Sequence, residues 1–293
     1  MCTNCGCQSN KAVVLDLQTG ETTSIAAGHH HASAAPHSHA PDHQHKEPND
    51  HEHHHHGPHG HSAHDYVHAH VDILDVERRI LAKNDAAAAR NRTWFSGREI
   101  LALNLVSSPG AGKTTLLERT IRDLGGHPPL YVIEGDQATA NDGERVKRAG
   151  ASVVQVNTGT GCHLDADMVT RALSALKPPP GAVVLIENVG NLVCPALFDL
   201  GERAKVIIFS VTDGEDKPLK YPHMFRAAAL VILNKIDLLP HLDFSHAEAI
   251  ANVRKINPEA IILQMSSRTG EGTAEWYAWL RNQLAMARQS AFA

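Results

Sequence analysis

Apolar residues recur along this chain in two registers. From Val71 onward, Ile73, Val76, Ile80 and Leu81 fall three to four residues apart, and Ala86 to Ala89 continue the run. That spacing, with high helix propensity, predicts an amphipathic helix packed beside a core. After Gly97 the pattern changes to short, nearly continuous apolar runs. They lie at Ile100–Val106, Leu130–Ile133, Ser152–Val156, Ala182–Ile186, Val206–Val211, Leu230–Leu233 and Ala260–Gln264. Runs of that length suit strands buried on both faces, and helical stretches separate most of them. Strand alternating with helix predicts an α/β fold with a mostly parallel, doubly wound sheet. A shorter patch, Val13-Val14-Leu15, stands apart, and the pattern assigns it no role.

Residues 29–70 show neither register. They hold Pro36, Pro41, Pro48 and Pro58, most of the chain's 22 histidines and almost no large apolar side chains. Such a segment cannot bury enough surface to offset its ordering entropy, which predicts a disordered tail in the absence of metal. The organisation expected is therefore a 1–28 segment, a 29–70 His-rich tail and one domain over 71–293. Cys2, Cys5 and Cys7 open the first segment as CxxCGC. Five cysteines in all, with no apolar leader, point to a reducing cytoplasmic setting and to metal ligation by these thiols rather than disulfides. Thiolate and imidazole suit nickel, zinc and copper better than magnesium or calcium. Net charge is −5 with only 27 Lys and Arg, and aromatic residues make up 4%. Neither a basic footprint nor a stacking platform for nucleic acid is expected. No apolar run approaches the length needed to cross a bilayer.

The first strand is followed by Ser107-Ser108-Pro109-Gly110-Ala111-Gly112-Lys113-Thr114-Thr115, which opens a helix. That is the context of a P-loop: backbone N–H groups around Gly110, Ala111 and Gly112 cradle phosphate, Lys113 reaches the β/γ-phosphates, and the Thr114 hydroxyl binds Mg²⁺. Ser107 stands where the first glycine usually does. Asn234-Lys235-Ile236-Asp237 follows a later strand as an NKxD element. The Asp237 carboxylate can accept from guanine N1–H and its 2-amino group, donors that adenine lacks. Ser266 and Ser267, after the last strand, are either a second guanine contact or an ordinary strand-end turn.

Two acidic positions are candidates for magnesium and switch roles. Glu187 ends a strand in Glu187-Asn188-Val189-Gly190, and Asp136 ends another, where it either reaches the metal or caps a helix. Cys162 and His163 sit in a glycine-rich loop, and Cys194 lies seven residues after Glu187. Three ligands do not close a tetrahedral site within one chain; two copies meeting at a dimer interface would supply six. The alternative is two buried cysteines. If the trio does bind metal, a loop responding to the γ-phosphate would move Cys194 together with Glu187 and couple metal to nucleotide. Leu238 and Leu242 are either dimer contacts or ordinary packing.

Taken together, CTNCGC, the His tail, VSSPGAGKTTLLE, IEGDQATANDGERV, NTGTGCHLDADMV, LIENVGNLVCP, DGEDKPLKYP and NKIDLLP resemble the HypB family. These are GTPases that help insert nickel into [NiFe]-hydrogenase. The resemblance implies a SIMIBI-class G domain that forms a GTP-dependent homodimer. It also implies a nickel site at Cys2, Cys5 and Cys7, and a nickel or zinc site at Cys162, His163 and Cys194. The implied partners are a HypA-type nickel chaperone and the hydrogenase large subunit. The related urease GTPases are less similar, since they are expected to carry Cys-Pro-His where this chain has Cys194-Pro195-Ala196. A nickel-buffering protein with an incidental G domain is the competing reading, carried by the His tail.

Overall fold

The computed structural model describes residues 12–25, 63–136, 141–159 and 161–290. Cys2, Cys5, Cys7 and the His-rich stretch up to residue 62 lie outside the described residues, and with them the disorder expected there. The chain divides into two compact units, residues 27–79 and residues 1–26 with 80–293. Described elements run, in order, β1 (Ala12–Asp16), β2 (Thr22–Ile25), α1 (Ala63–Ser96), β3 (Leu101–Ser107), α2 (Lys113–Leu124), β4 (Leu130–Asp136), α3 (Asn141–Ala149) and β5 (Ser152–Asn157). There follow α4 (Ala166–Leu176), β6 (Val183–Glu187), α5 (Cys194–Leu197), β7 (Ala204–Ser210), α6 (Lys217–Lys220), α7 (Pro222–Ala227), β8 (Ala228–Asn234), a 3-10 helix (Ile236–His241), α8 (His246–Ile256), β9 (Ile261–Met265) and α9 (Thr273–Ser290).

The strands form one sheet in the order β2-β1-β5-β4-β6-β3-β7-β8-β9. From β5 to β9 every pairing is parallel. Side chains alternate across the sheet. Leu101, Leu103 and Leu105 of β3 face a cluster with Leu116, Leu117 and Ile121 of α2 and Trp276, Leu280 and Leu284 of α9. Ala102 faces the opposite cluster with Val169, Leu173 and Leu176 of α4 and Phe95 of α1. Both faces are covered, so the strands read as continuous apolar runs. All functional loops considered below leave the carboxyl ends of these parallel strands, the position where open α/β sheets bind ligands.

Two expected boundaries differ. Helix α1 begins at Ala63, eight residues before the predicted domain start. Residues 12–25, expected within a separate N-terminal segment, instead build a hairpin on the sheet edge. β1 pairs antiparallel with both β2 and β5. Val14 is 3% exposed and joins the α4-side cluster, while Leu17 joins the α2-side cluster. Leu17 N donates to Val153 O, Gln18 Nε2 donates to Ala151 O, and Lys147 Nζ donates to Leu17 O. Burying Val14 and Leu17 is worth roughly 1.5–3 kcal/mol each, enough to hold a short edge hairpin in place. Among the described residues, no helix is long and apolar enough to cross a membrane.

Candidate functional site

The loop between β3 and α2 wraps the amino end of α2. Gly110 and Gly112 both have positive φ, 74° and 102°. A Cβ on Gly112 would also meet Asn234 Nδ2 at 2.5 Å, so only glycine fits there. Lys113 is buried, and burial pushes its ammonium below the ordinary lysine range. Its Nζ donates to Ser107 Oγ at 2.7 Å. The serine in the first glycine position thus holds the P-loop lysine in place. Ser108 Oγ in turn donates to Asp213 Oδ2 at 2.7 Å, tying the loop to the end of β7.

A cavity of about 440 Å³ opens beside this loop, lined by Gly110, Lys113, Thr114, Glu134, Asp142 and Glu187 among others. Thr114 Oγ1 donates to Glu187 Oε1 at 2.8 Å. Glu187 and Glu134 stand side by side in register across β6 and β4. Burial pushes the Glu134 carboxyl up to about 9, with repulsion from Glu187 adding to it. Burial likewise pushes Glu187 up to about 7, opposed by Lys113 and the Thr114 hydrogen bond. Oε2 of each is buried without a hydrogen-bond donor. Asp136 and Asp142 line the same cavity. A hydroxyl with several carboxylates and uncompensated oxygens is the donor set of a hard divalent cation, so the residues present fit magnesium.

Arg145 and Asp142 were not singled out from the sequence, although their i, i+3 spacing at the start of α3 puts them on one face. Arg145 Nη1 donates to Asp142 Oδ1 and Nη2 to Glu118 Oε2, both at 2.9 Å, and the guanidinium lines the cavity. It is a second cation beside Lys113. Thr115, half-buried, lies 3.5 Å from it through Oγ1.

The NKxD element packs behind the P-loop. Asn234 Nδ2 donates to Ala111 O at 2.9 Å, and Lys235 Nζ donates to Gly110 O at 2.7 Å. Ser267 donates to Asn234 Oδ1 through both N and Oγ, each at 3.0 Å. Ser266 Oγ accepts from Thr269 N at 3.1 Å. The structure therefore brings β3, β8 and β9 loops together at one place. Asp237 Oδ1 is buried with no hydrogen-bond partner. Leu238 is half-buried against the cluster containing Phe225 and Val253, which is ordinary packing, whereas Leu242 is 38% exposed.

Cys162, His163 and Cys194 converge from two loops. Cys162 Sγ lies 2.8 Å from Cys194 Sγ and 3.6 Å from His163 Nδ1. One ligand atom from each falls within 4.8 Å of the others, the one such cluster of three among the described residues. Neither cysteine is in a disulfide and both are half-buried, which disfavours the alternative of two fully buried cysteines. Burial pushes the His163 imidazole below its ordinary range, against the pull of Asp165. Its ring lies 3.9 Å from that of Phe198. Three ligands leave a fourth position open. Beside them, Val193 and Leu197 are 56% and 51% exposed.

The two sites share a loop. Asn188, next to Glu187, accepts from Leu164 N at 3.1 Å through Oδ1, and Leu164 follows His163. Asn188 Nδ2 donates to Asn104 Oδ1 at 3.2 Å, and Asn104 Nδ2 to Glu202 Oε1 at 3.1 Å. Asn191 Nδ2 donates to Cys162 O at 3.4 Å. Sequence reading linked Cys194 to Glu187 by proximity but missed these asparagines, because their partners are distant in the chain.

A P-loop at the head of a parallel sheet, joined to a carboxylate-rich cavity and an NKxD loop, defines a P-loop nucleotide-binding protein. Residues 101–264 match the family model described as CobW/HypB/UreG, nucleotide-binding domain. Within that group the chain belongs to the HypB family of hydrogenase maturation factors. It is 60% identical over 208 residues to hydrogenase maturation factor HypB of Rhizobium leguminosarum, covering 71% of this chain and 70% of that one. Identity to HypB of Escherichia coli is 54% over 211 residues, covering 72% and 73%. The fold is similar to the crystal structure of HypB from Helicobacter pylori in complex with nickel. That match has a TM-score of 0.65 at 36% identity and covers 70% of this chain and 96% of that one.

Proposed function

We propose that this chain hydrolyses GTP and uses its nucleotide state to control nickel carried toward the [NiFe]-hydrogenase large subunit. The observation that carries this reading is the shared loop: Glu187 faces the P-loop threonine while Asn188, Asn191 and Cys194 engage the Cys162–His163 loop. The Helicobacter relative, solved with nickel, supports nickel as the cargo, although the Cys/His set also accepts zinc. GTP phosphates would draw Lys113 from Ser107 and meet Arg145, while Asp237 would accept from guanine. Magnesium held by Thr114, Glu187 and Asp136 would neutralise phosphate charge. These groups position and stabilise rather than react, which suits slow turnover.

Two chains joined face to face at the open Cys162–Cys194 site would complete the metal's ligand set, a GTP-dependent homodimer. A HypA-type nickel chaperone is the proposed docking partner, in the cytoplasm, with delivery toward the hydrogenase large subunit. The test is nickel and zinc titration with GDP and then a non-hydrolysable GTP analogue, in a chain with Cys2, Cys5 and Cys7 replaced by Ala and the His-rich tail deleted. We expect affinity to differ between nucleotide states and the difference to vanish in Cys194→Ala. Equal affinities in both states would overturn the coupling. Lys113→Ala should abolish hydrolysis and hydrogenase maturation without lowering nickel content; normal maturation would defeat the GTPase role.

A further inference from the structure

From Ile80 onward, the buried positions of α1 are Asn84, Ala87, Ala88, Asn91 and Phe95. Three- and four-residue spacing puts them on one face of the helix. Two of them are asparagines, 6% and 3% exposed. Burying an amide costs free energy unless its polar atoms are paired. Here they are, and with particular partners. Asn84 Nδ2 donates to Asp199 O at 2.8 Å, and its Oδ1 accepts from Ala166 N at 2.9 Å. Asn91 Nδ2 donates to Ala166 O at 2.8 Å and to Leu200 O at 3.0 Å. Its Oδ1 accepts from Thr170 Oγ1 at 2.7 Å.

Each amide therefore joins the same two segments. Ala166 opens α4, three residues after His163. Asp199 and Leu200 follow α5, which Cys194 opens, and the intervening Phe198 lays its ring 3.9 Å from that of His163. The strands that launch these two loops are separated by β4, so their mutual distance is not set by a strand ladder. Asn188 and Asn191 tie the loops from the β6 side. Asn84 and Asn91 tie them from α1. Between the two amides, Ala87, Ala88 and Ala166 form a small apolar cluster. Gly201 has a φ of 88°, and a Cβ there would meet Ala88 O and Asn91 Cβ at 2.6 Å, so helix and loop are in close contact. Arg92 Nη2 adds bonds of 2.8 and 2.6 Å to the Asp199 carboxylate. Stability alone does not call for buried amides here. Apolar groups of similar shape could hold α1 in place at little cost, but they would fix no register.

We propose that Asn84 and Asn91 are positioning residues of the Cys162–His163–Cys194 site. They form a clamp on α1 that sets the separation of its two loops, and with it the geometry those loops offer to a divalent cation. This rests on the reading above that the trio holds metal. An amide carries donor and acceptor on one rigid plane, so a bond to each loop fixes both. Ligands already held in place lose less freedom on binding, which raises affinity and selects one geometry.

Cobalt chloride is the probe, because thiolate bound to Co(II) gives a charge-transfer band that imidazole and water do not. In a full chain with Cys2, Cys5 and Cys7 replaced by Ala, only Cys162 and Cys194 remain of five cysteines, so the band reports this site alone. The His tail is common to every chain compared. Asn84→Ala and Asn91→Ala are each expected to lower cobalt affinity about tenfold or more, the scale seen when groups that orient metal ligands are lost. The cobalt spectrum should also change shape as the ligand angles relax. Leu284→Ala removes buried volume from the opposite face of the sheet and controls for lost stability; it should change neither. Parental affinity and spectrum in both asparagine variants overturn the clamp, and so does an equal loss in Leu284→Ala. If an Ala variant does not fold, Asn84→Asp carries the test. Its carboxylate still accepts from Ala166 N at the start of α4, where an anion is favoured, but it cannot donate to Asp199 O. Parental cobalt binding in that chain also overturns the clamp. A parent chain without a thiolate band removes the metal-site reading and the clamp with it. A band of equal strength and affinity in every chain removes the clamp alone.

Discussion

Asp237 carries one oxygen that is buried and accepts no hydrogen bond. A lone acceptor costs about 1–3 kcal/mol, so its presence beside the P-loop invites a ligand with matching donors. Guanine offers two, at N1 and the 2-amino group. Asp237→Asn replaces one acceptor with a donor, which repels N1–H but pairs with the second carbonyl of xanthine. GTP affinity should fall by about a hundredfold or more, and XTP should bind better than GTP. Titration with fluorescent derivatives of both nucleotides checks this, and unchanged GTP affinity would remove Asp237 from base recognition. Ser107 teaches a related lesson. It departs from the glycine pattern, and its hydroxyl is the partner of Lys113.

At the scale of elements, Glu134, two residues before the end of β4, pairs with Glu187 at the end of β6, and both are buried. Their folded-state carboxyls titrate at about 9 and about 7, against 4.5 in the unfolded chain. The native state therefore holds protons that the unfolded chain has already released. Stability from this source is complete below about pH 4.5 and is lost as pH rises through 7 and then 9. The nucleotide-free, magnesium-free protein should melt at progressively lower temperature across that window. Adding magnesium and GDP should flatten the dependence, because a bound cation favours the ionised carboxylates. Calorimetry with and without them decides; a pH-independent melting temperature in the free protein would show that the pair is not strained. The same strand ends explain why the cavity was only partly legible. Asp136 and Glu187 were visible as acidic strand termini, but Glu134 joins them only because β4 lies directly beside β6.

Across the whole molecule, Asn188 ties the strand end at Glu187 to the Cys162–His163 loop. It bonds Leu164 N and Asn104 while adjoining Glu187. Asn188→Ala leaves a buried N–H and a buried amide oxygen without their partner, at about 1–3 kcal/mol each, measurable by urea unfolding. The ratio of nickel affinities in the GDP and GTP-analogue states should move toward one in this variant. By reciprocity, the effect of nickel on nucleotide affinity should shrink by the same factor. Full coupling in Asn188→Ala would place the link elsewhere, for example at Asn191 or Cys194.

Seven strands, the P-loop and the NKxD element could be read from the chain alone, because each is contiguous. A parallel strand covered on both faces must be an unbroken apolar run, and a phosphate loop must hold its glycines and lysine within one turn. The hairpin could not be read so, since three apolar residues do not distinguish an edge strand from a loop. Only the tertiary structure decided its direction, the meeting of Cys162 with Cys194 and the pairing of Glu134 with Glu187. Those depend on strand order, which is set by packing many side chains at once over long separations rather than by any local pattern.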